Sequence, residues 1–158
     1  MTKQELLTRF LIEEEGKERE EINIINSESF YSTKGEYTDT ITGNEYLILT
    51  DIEADDRAGE EIKLSLWAFN ADFILKHTNF DYEGFQYAAL IKCISTLQEQ
   101  LRESANDIIK LLISDLDDFI DDAINADGRG HLLSYYDGVE HEIFDPDTKK
   151  YYYIYRLN

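Results

Sequence analysis

The chain is strongly acidic, because its 158 residues include 34 Asp and Glu against 15 Lys and Arg, a formal net charge of −19. Such a surface repels nucleic acid and anionic membranes, which excludes both as direct partners. It favours a basic protein that normally holds nucleic acid. Because 42% of the residues are hydrophobic, with eleven Tyr and eight Phe, the composition predicts a folded core and not a disordered acidic tail.

Length and cysteine content point to one intracellular domain. A chain of 158 residues is expected to form a single domain over 1–158. Cys93 is the single cysteine, so no internal disulfide is possible, which favours a reducing compartment. Residues 1–7 lack the apolar core of a signal peptide, and no apolar run approaches the ~20 residues of a membrane span. The expected location is therefore the cytoplasm, while the oligomeric state is left open.

The first half of the chain predicts one helix followed by short strands. Thr2 and Glu5 form a capping-box pattern before an apolar stripe at helical spacing, and the acidic run 13–21 is interpreted as a solvated extension of that helix. Short strands are predicted at 22–25 and 30–32, and a strand with its turn at 38–44 that leads into a further strand at 45–50. An exposed acidic loop at 51–61 and an alternating strand at 62–69 are predicted to follow.

The second half predicts three helices and then three strands. Asn70 is expected to cap a short helix through His77, and Asp81 a longer one over 82–103 with its apolar residues facing the core. A third helix over 106–126 ends at Asp127-Gly128. Strands are predicted at 132–135, 140–144 and 151–156, the last two joined by a turn that contains Pro146. The fold class is therefore α+β, an antiparallel sheet packed on three to four helices.

The clearest functional signal is the third predicted helix, whose non-core surface is lined with aspartates. Carboxylates three or four residues apart on a helix lie about 5–6 Å from one another, a spacing comparable to that of successive phosphates along a nucleic-acid strand. Acidic residues of the predicted loop 51–61 could extend such a surface. The alternative is that these acids are merely solvated. The predicted partner-binding residues are Asp107, Asp115, Asp117, Asp118, Asp121 and Asp122 on the helix and Asp55, Asp56 and Glu60 in the loop.

The segment 127–138 invites an enzymatic interpretation that its residues support weakly. Asp127, Arg129 and His131 could serve as acid, anion clamp and base beside Ser134 and Asp137. However, no G-x-S-x-G elbow surrounds Ser134, and a phosphate-binding loop is not expected next to so many aspartates. We therefore predict a structural role for this segment and no catalytic residue.

No metal or cofactor site is predicted. An EF-hand loop with Gly128 at its sixth position would place Ala123 and Ser134 where oxygen ligands are required. Weak cation binding by paired carboxylates such as Asp117 and Asp121 is left open.

The C-terminal third resembles a recurrent ending of small acidic bacteriophage proteins. The residues that carry the resemblance are Asp122-Ala123-Ile124, Asp127-Gly128-Arg129-Gly130-His131-Leu132-Leu133-Ser134, Tyr135-Tyr136-Asp137-Gly138 and Tyr152-Tyr153-Ile154-Tyr155-Arg156-Leu157-Asn158. The resemblance implies a phage or mobile-element origin but no activity. Strong acidity in that setting is similar to that of DNA-mimic anti-restriction and anti-CRISPR proteins, which share charge and not fold.

The function predicted from these observations is a non-enzymatic, phage-encoded inhibitor of a host defence protein. It would occupy the nucleic-acid-binding surface of a CRISPR effector or restriction nuclease as a nucleic-acid mimic. Replacing Asp115, Asp118 and Asp122 is expected to weaken that binding without unfolding the domain. Two alternatives are kept: a phage interaction or scaffold protein whose acidity serves only solubility, and a small enzyme that uses Asp127, Arg129 and His131.

Overall fold

The computed structural model describes residues 1–27 and 35–158 and confirms an α+β fold with an antiparallel sheet. The strand predicted at Phe30-Tyr31-Ser32 lies outside the described residues. In chain order the elements are α1 (Lys3–Glu13), β1 (Ile24–Asn26), β2 (Glu36–Asp39), β3 (Glu45–Leu49), α2 (Asp51–Leu64), α3 (Ala71–Lys76), α4 (Gly84–Leu101), α5 (Asn106–Leu112), α6 (Leu116–Leu133), β4 (His141–Asp145) and β5 (Lys150–Arg156). The chain divides into two compact units, residues 1–58 with 127–158 and residues 59–126.

The first unit is built on the sheet, whose strands lie in the order β1-β2-β3-β5-β4 and pair antiparallel throughout. Helix α1 contacts β1 and β4. Its stripe Leu6, Leu7, Phe10 and Leu11 is buried together with apolar side chains of the strands, including Ile48 and Ile154. The sheet therefore has one face covered by an amphipathic helix.

Helix α1 begins as predicted and ends earlier than predicted. The Thr2 hydroxyl accepts from the Glu5 N–H (3.2 Å) while the Glu5 carboxylate accepts from the Thr2 N–H (2.7 Å), which is the capping box. The helix stops at Glu13, and Gly16 adopts a positive φ of 68° that turns the chain so that the Lys17 N–H reaches the Leu11 carbonyl. The predicted helical extension through 21 is therefore wrong, although its acids are exposed.

The turns of the hairpins β2–β3 and β4–β5 are both held by an aspartate side chain that accepts hydrogen bonds from later residues of the turn. Asp39 accepts from the Ile41 N–H (3.2 Å) and the Thr42 hydroxyl (2.8 Å). Asp145 accepts from the Asp147 N–H (3.0 Å) and the Thr148 hydroxyl (2.8 Å). Both carboxylates are buried, and because they satisfy turn donors they fix the two connections of the sheet.

The second unit consists of helices around an aromatic cluster. Phe73 packs against Phe69, Phe119 and His77, with ring centroids 5.7, 4.9 and 4.7 Å away. The buried residues Ile74, Leu75 and Ile109 belong to the same unit. Helix α4, in contrast, buries Ile94 alone among its 18 residues.

Two of the predicted strands are helical. The predicted loop 51–61 and strand 62–69 form α2 and a short 3₁₀ turn, because Ala54, Ala58 and Ile62 bury one face at intervals of four residues. Thr50 and Glu53 cap this helix with reciprocal hydrogen bonds. The predicted strand 132–135 is wrong as well, since α6 resumes after Gly128 and continues to Leu133.

The single helix predicted over 106–126 is in fact two helices. Helix α5 ends at Leu112, and extended residues follow: Ile113 forms a bridge with Thr78, and the Ser114 N–H donates to the His77 carbonyl (2.8 Å). Helix α6 then begins at Leu116. The predicted stop at Asp127-Gly128 is confirmed, because Gly128 has φ 78° and ψ 152° and interrupts α6.

Candidate functional site

The start of α6 is held by the predicted site residue Asp115. Its Oδ1 accepts hydrogen bonds from the N–H groups of Asp117 and Asp118, both at 3.1 Å. This is the geometry of a helix N-cap, which satisfies donors that the helix itself leaves unpaired. Asp115 therefore has a structural task, and its replacement would change stability as well as charge.

Three aspartates of α6 form an exposed set, here called the acid row: Asp117, Asp118 and Asp121. The spacings 117/121 and 118/121 place neighbouring carboxylates about 5–6 Å apart on the helix surface. Within the part of the chain that the structure describes, none of the three carboxylates has a hydrogen-bond or ion-pair partner. Their charge is therefore available to a ligand outside the chain.

Asp122 does not belong to the acid row, because its carboxylate already has two partners within the chain. Its Oδ2 lies 3.2 Å from the Lys76 Nζ and 3.2 Å from the His77 Nε2. The ammonium of Lys76, followed by His77, holds the pKa of Asp122 below its usual range. The other ring nitrogen of the buried His77 lies 2.9 Å from the Phe73 carbonyl, so this group ties α6 to α3.

The remaining predicted acids are scattered over other helices. Asp107 is exposed in the first turn of α5, separated from the acid row by the break at 113–115. Asp55, Asp56 and Glu60 are exposed on α2 instead of in a loop. Asp55 and Asp56 belong to the first compact unit, and Glu60 belongs to the second. The structure thus brings together Asp117, Asp118 and Asp121 but does not place all nine predicted residues on one helix face.

Arg129 is the centre of a second polar cluster, here called the Arg129 cluster, that is internal to the first unit. Its Nε and Nη2 donate to the two carboxylate oxygens of Glu140 (2.8 and 3.0 Å), and its Nη1 donates to Asp51 (2.8 Å) and Asp55 (3.1 Å). The guanidinium also lies 4.3 Å from the ring centroid of Tyr153. The partners of Arg129 are therefore residues of α2 and Glu140.

Burial and hydrogen bonds within the Arg129 cluster shift the pKa values of two of its members. Tyr155 donates its hydroxyl to Glu140 (2.5 Å), and burial, followed by this hydrogen bond to the carboxylate, raises the pKa of Tyr155 above its usual range. Burial opposes the charge of Arg129, yet the hydrogen bonds to Glu140 and Asp51 hold its pKa above the ordinary value. The cation is thus fully engaged by side chains of its own unit.

The rest of the segment 127–138 does not converge on a reaction centre. Ser134 is buried, with its hydroxyl 2.7 Å from Asp137 Oδ1 and 3.0 Å from the Arg156 carbonyl. Asp127 and His131 are exposed, and over residues 1–27 and 35–158 no hydrogen bond or ion pair joins either side chain to Arg129. The Arg156 guanidinium lies 3.8 Å from the ring centroid of Tyr136.

The glycine between Arg129 and His131 is required for packing. A Cβ on Gly130 would lie 2.5 Å from the Gly138 carbonyl oxygen and 2.8 Å from the Glu140 nitrogen, both of them backbone atoms. Only glycine permits this close approach, which brings Glu140 to Arg129. Gly130 therefore serves the Arg129 cluster.

No family model, curated protein or solved structure matches this chain. Function must be inferred from its own residues. Among the described residues no group of three or more His, Cys, Asp or Glu side chains is arranged to hold a metal ion. In the same part of the chain no helix combines the length and the apolar character needed to cross a bilayer.

One functional feature was missed by sequence reasoning. Helix α4 was assigned a core-facing apolar stripe, yet Phe85, Ala88, Ala89 and Cys93 are exposed. The available signal was charge: residues 84–98 contain no Asp or Glu in a chain that has 34. An exposed helical stretch without Asp or Glu in so acidic a protein indicates a contact surface.

Proposed function

We propose that this protein is an inhibitor that binds a basic, nucleic-acid-binding surface of another protein through the acid row Asp117, Asp118 and Asp121. The observation that carries the proposal is that these three carboxylates are exposed, adjacent and unpaired within the described chain, on a molecule of net charge −19. Their spacing of about 5–6 Å is comparable to that of backbone phosphates, which the Lys and Arg of such a surface normally contact.

The target class follows from the electrostatics and from the C-terminal resemblance. A field of one sign speeds encounter with a surface of the opposite sign and repels nucleic acid, so this chain competes with DNA or RNA for the same site. The resemblance to small acidic phage proteins favours a host defence protein as target, either a CRISPR effector or a restriction nuclease. Such an inhibitor acts in the cytoplasm of the host cell, without a cofactor and without membrane contact.

The test is inhibition of DNA cleavage by a panel of purified restriction nucleases and RNA-guided nucleases. Inhibition of at least one enzyme is expected, and pre-binding of DNA to that enzyme should prevent it. Affinity should fall steeply between about 50 and about 500 mM salt, because exposed ion pairs are screened over about a Debye length. The triple variant Asp117→Asn, Asp118→Asn, Asp121→Asn should bind about 30-fold more weakly, from about 0.5–1 kcal/mol per exposed pair.

A matched control separates the acid row from net charge. The variant Glu99→Gln, Glu103→Gln, Glu142→Gln removes the same three charges from other exposed positions and is expected to inhibit almost as well as the wild type. Asp115 and Asp122 stay unchanged in both variants, because they hold the helix start and the contact with α3. Equal losses in the two triple variants, or no inhibition of any enzyme in the panel, would overturn the proposal.

A further inference from the structure

Helix α4 presents an apolar groove to solvent. Its 18 residues make it about 27 Å long, and Phe85 near its start is 76% exposed. An open groove of about 410 Å³ is lined by Phe80, Phe85, Ala89, Leu90 and Cys93 with Asp81 and Gln86 at its border. Phe80 and Phe85 are both exposed and belong to this one contiguous apolar lining, and a contiguous exposed apolar patch indicates a surface that another molecule covers.

The charge pattern favours a second copy of this chain as that molecule. Every region rich in carboxylate would repel the same region of another −19 chain, whereas residues 84–98 carry Lys92 as their single charge. Helix α4 is therefore where two copies can touch with the least repulsion. The other helices α1, α2, α3, α5 and α6 all carry an acid in the first turn, and α4 does not.

The order of side-chain sizes fixes a register. In an antiparallel pair of α4 helices with Ala89 on the two-fold axis, the small Ala89 lets the helices approach and Phe85 of each copy faces Cys93 of the other. This is the self-complementary arrangement that a two-fold interface requires. Across the same axis Lys92 is level with the uncharged Gln86.

We propose that α4 forms an antiparallel two-fold homodimer interface centred on Ala89. A surface confined to one helix is smaller than the roughly 800 Å² per partner of a standard stable interface, so the dimer is weak. Association tightens as salt rises, because screening reduces the repulsion between two chains of charge −19. Binding through the acid row weakens as salt rises, whereas the dimer tightens. The two proposals therefore predict opposite effects of salt, and either can fail without the other.

Sedimentation equilibrium from about 10 to about 500 µM protein, in 50 and 500 mM NaCl, measures the association. We expect a monomer–dimer equilibrium that is tighter in 500 mM NaCl, and a Kd raised at least 10-fold by Phe85→Ser. The matched control is Leu111→Ser, which removes an apolar side chain 85% exposed on α5 and should leave the Kd unchanged. Far-UV circular dichroism checks that each variant remains folded.

Disulfide trapping tests the register. The double variant Ala89→Cys, Cys93→Ser should oxidise to a covalent dimer, because the two thiols meet at the axis. The wild-type chain with its single Cys93 should not, since the two Cys93 positions are separated by eight residues, about 12 Å along the helices, beyond disulfide reach. A monomer at 500 µM in both salts, equal effects of Phe85→Ser and Leu111→Ser, or faster trapping through Cys93 would overturn the proposal and assign the groove to a different partner.

Discussion

Removing the Arg129 guanidinium is the sharpest test of whether segment 127–138 is structural or catalytic. In Arg129→Met the carboxylate of Glu140 loses two hydrogen bonds, at 2.8 and 3.0 Å, and keeps the one from Tyr155. The Arg129 side chain is 12% exposed and that of Glu140 28%, so the charge left behind is poorly solvated. We expect a loss of stability dominated by this unpaired carboxylate.

The magnitude follows from the individual contacts. Breaking a buried ion pair costs about 3–5 kcal/mol, and the partial exposure of Glu140 reduces this to about 2–3 kcal/mol. The contacts to the exposed Asp51 and Asp55 add about 0.5 kcal/mol each, as surface pairs do. The cation–π contact with Tyr153 adds about 0.5 kcal/mol. The expected decrease in the free energy of unfolding is therefore about 3.5–4.5 kcal/mol.

Urea unfolding followed by circular dichroism measures this decrease. With a slope of about 2–3 kcal/mol/M, the midpoint should fall by more than about 1 M. Arg129→Lys should recover less than half of the loss, because an ammonium cannot match the two oxygens of Glu140 together. The control is His131→Ala, which removes an exposed side chain and should change stability by less than about 0.5 kcal/mol. If Arg129→Met is as stable as the wild type, the structural interpretation is refuted. If His131→Ala abolishes a chemical turnover, the segment is an active site.

Two further predictions concern the hairpin turns. Burial disfavours ionisation of Asp39, but hydrogen bonds from Asn23, Thr42 and Ile41 outweigh it and hold its pKa below the usual range. The ionised Asp39 therefore stabilises the fold above the unfolded-state pKa of about 4, and this stabilisation is lost as the pH falls through the lowered pKa of the folded state. The free energy of unfolding of Asp39→Asn should consequently decrease less than that of the wild type between about pH 5 and pH 3. Equal decreases in the two proteins would contradict this. Lys149 in the β4–β5 turn has a positive φ of 55°, and the equivalent position of the β2–β3 turn is Gly43. Lys149→Gly should therefore stabilise the fold by about 0.5–1 kcal/mol and raise the midpoint of thermal unfolding. An unchanged or lowered midpoint would show that no strain is relieved.

The sequence was informative where local patterns and tertiary burial agree. The Thr2 cap, the β4–β5 hairpin around Pro146 and the stop at Gly128 are confirmed because short-range signals specify them. Helix α2 was missed because its acids were given more weight than the period of Ala54, Ala58 and Ile62. The start of α6 was missed although Ser114-Asp115 before Leu116 is a helix-start pattern.

The candidate site was predicted in composition but not in arrangement. The sequence identifies acids at helical spacing, yet it does not show which of them already have partners. Asp115 is engaged by backbone N–H groups of its own helix start. Asp122 is engaged by Lys76 and Asp55 by Arg129, and these two contacts join residues that are far apart along the chain. Only the folded structure separates these structural carboxylates from the acid row.

Much of the acidic charge is placed where the fold tolerates it. Glu5, Glu53 and Asp72 lie in the first turns of α1, α2 and α3, where the partial positive charge of a helix N-terminus is stabilised by a carboxylate. High net charge alone is therefore weak evidence for mimicry. The stronger evidence is contrast: an unpaired acid row on α6 and an exposed stretch 84–98 of α4 without Asp or Glu occur in the same unit. If both surfaces act as proposed, raising the salt concentration weakens the affinity for the basic target and strengthens the dimer. A protein that is acidic only for solubility would not show this pair of opposite salt effects.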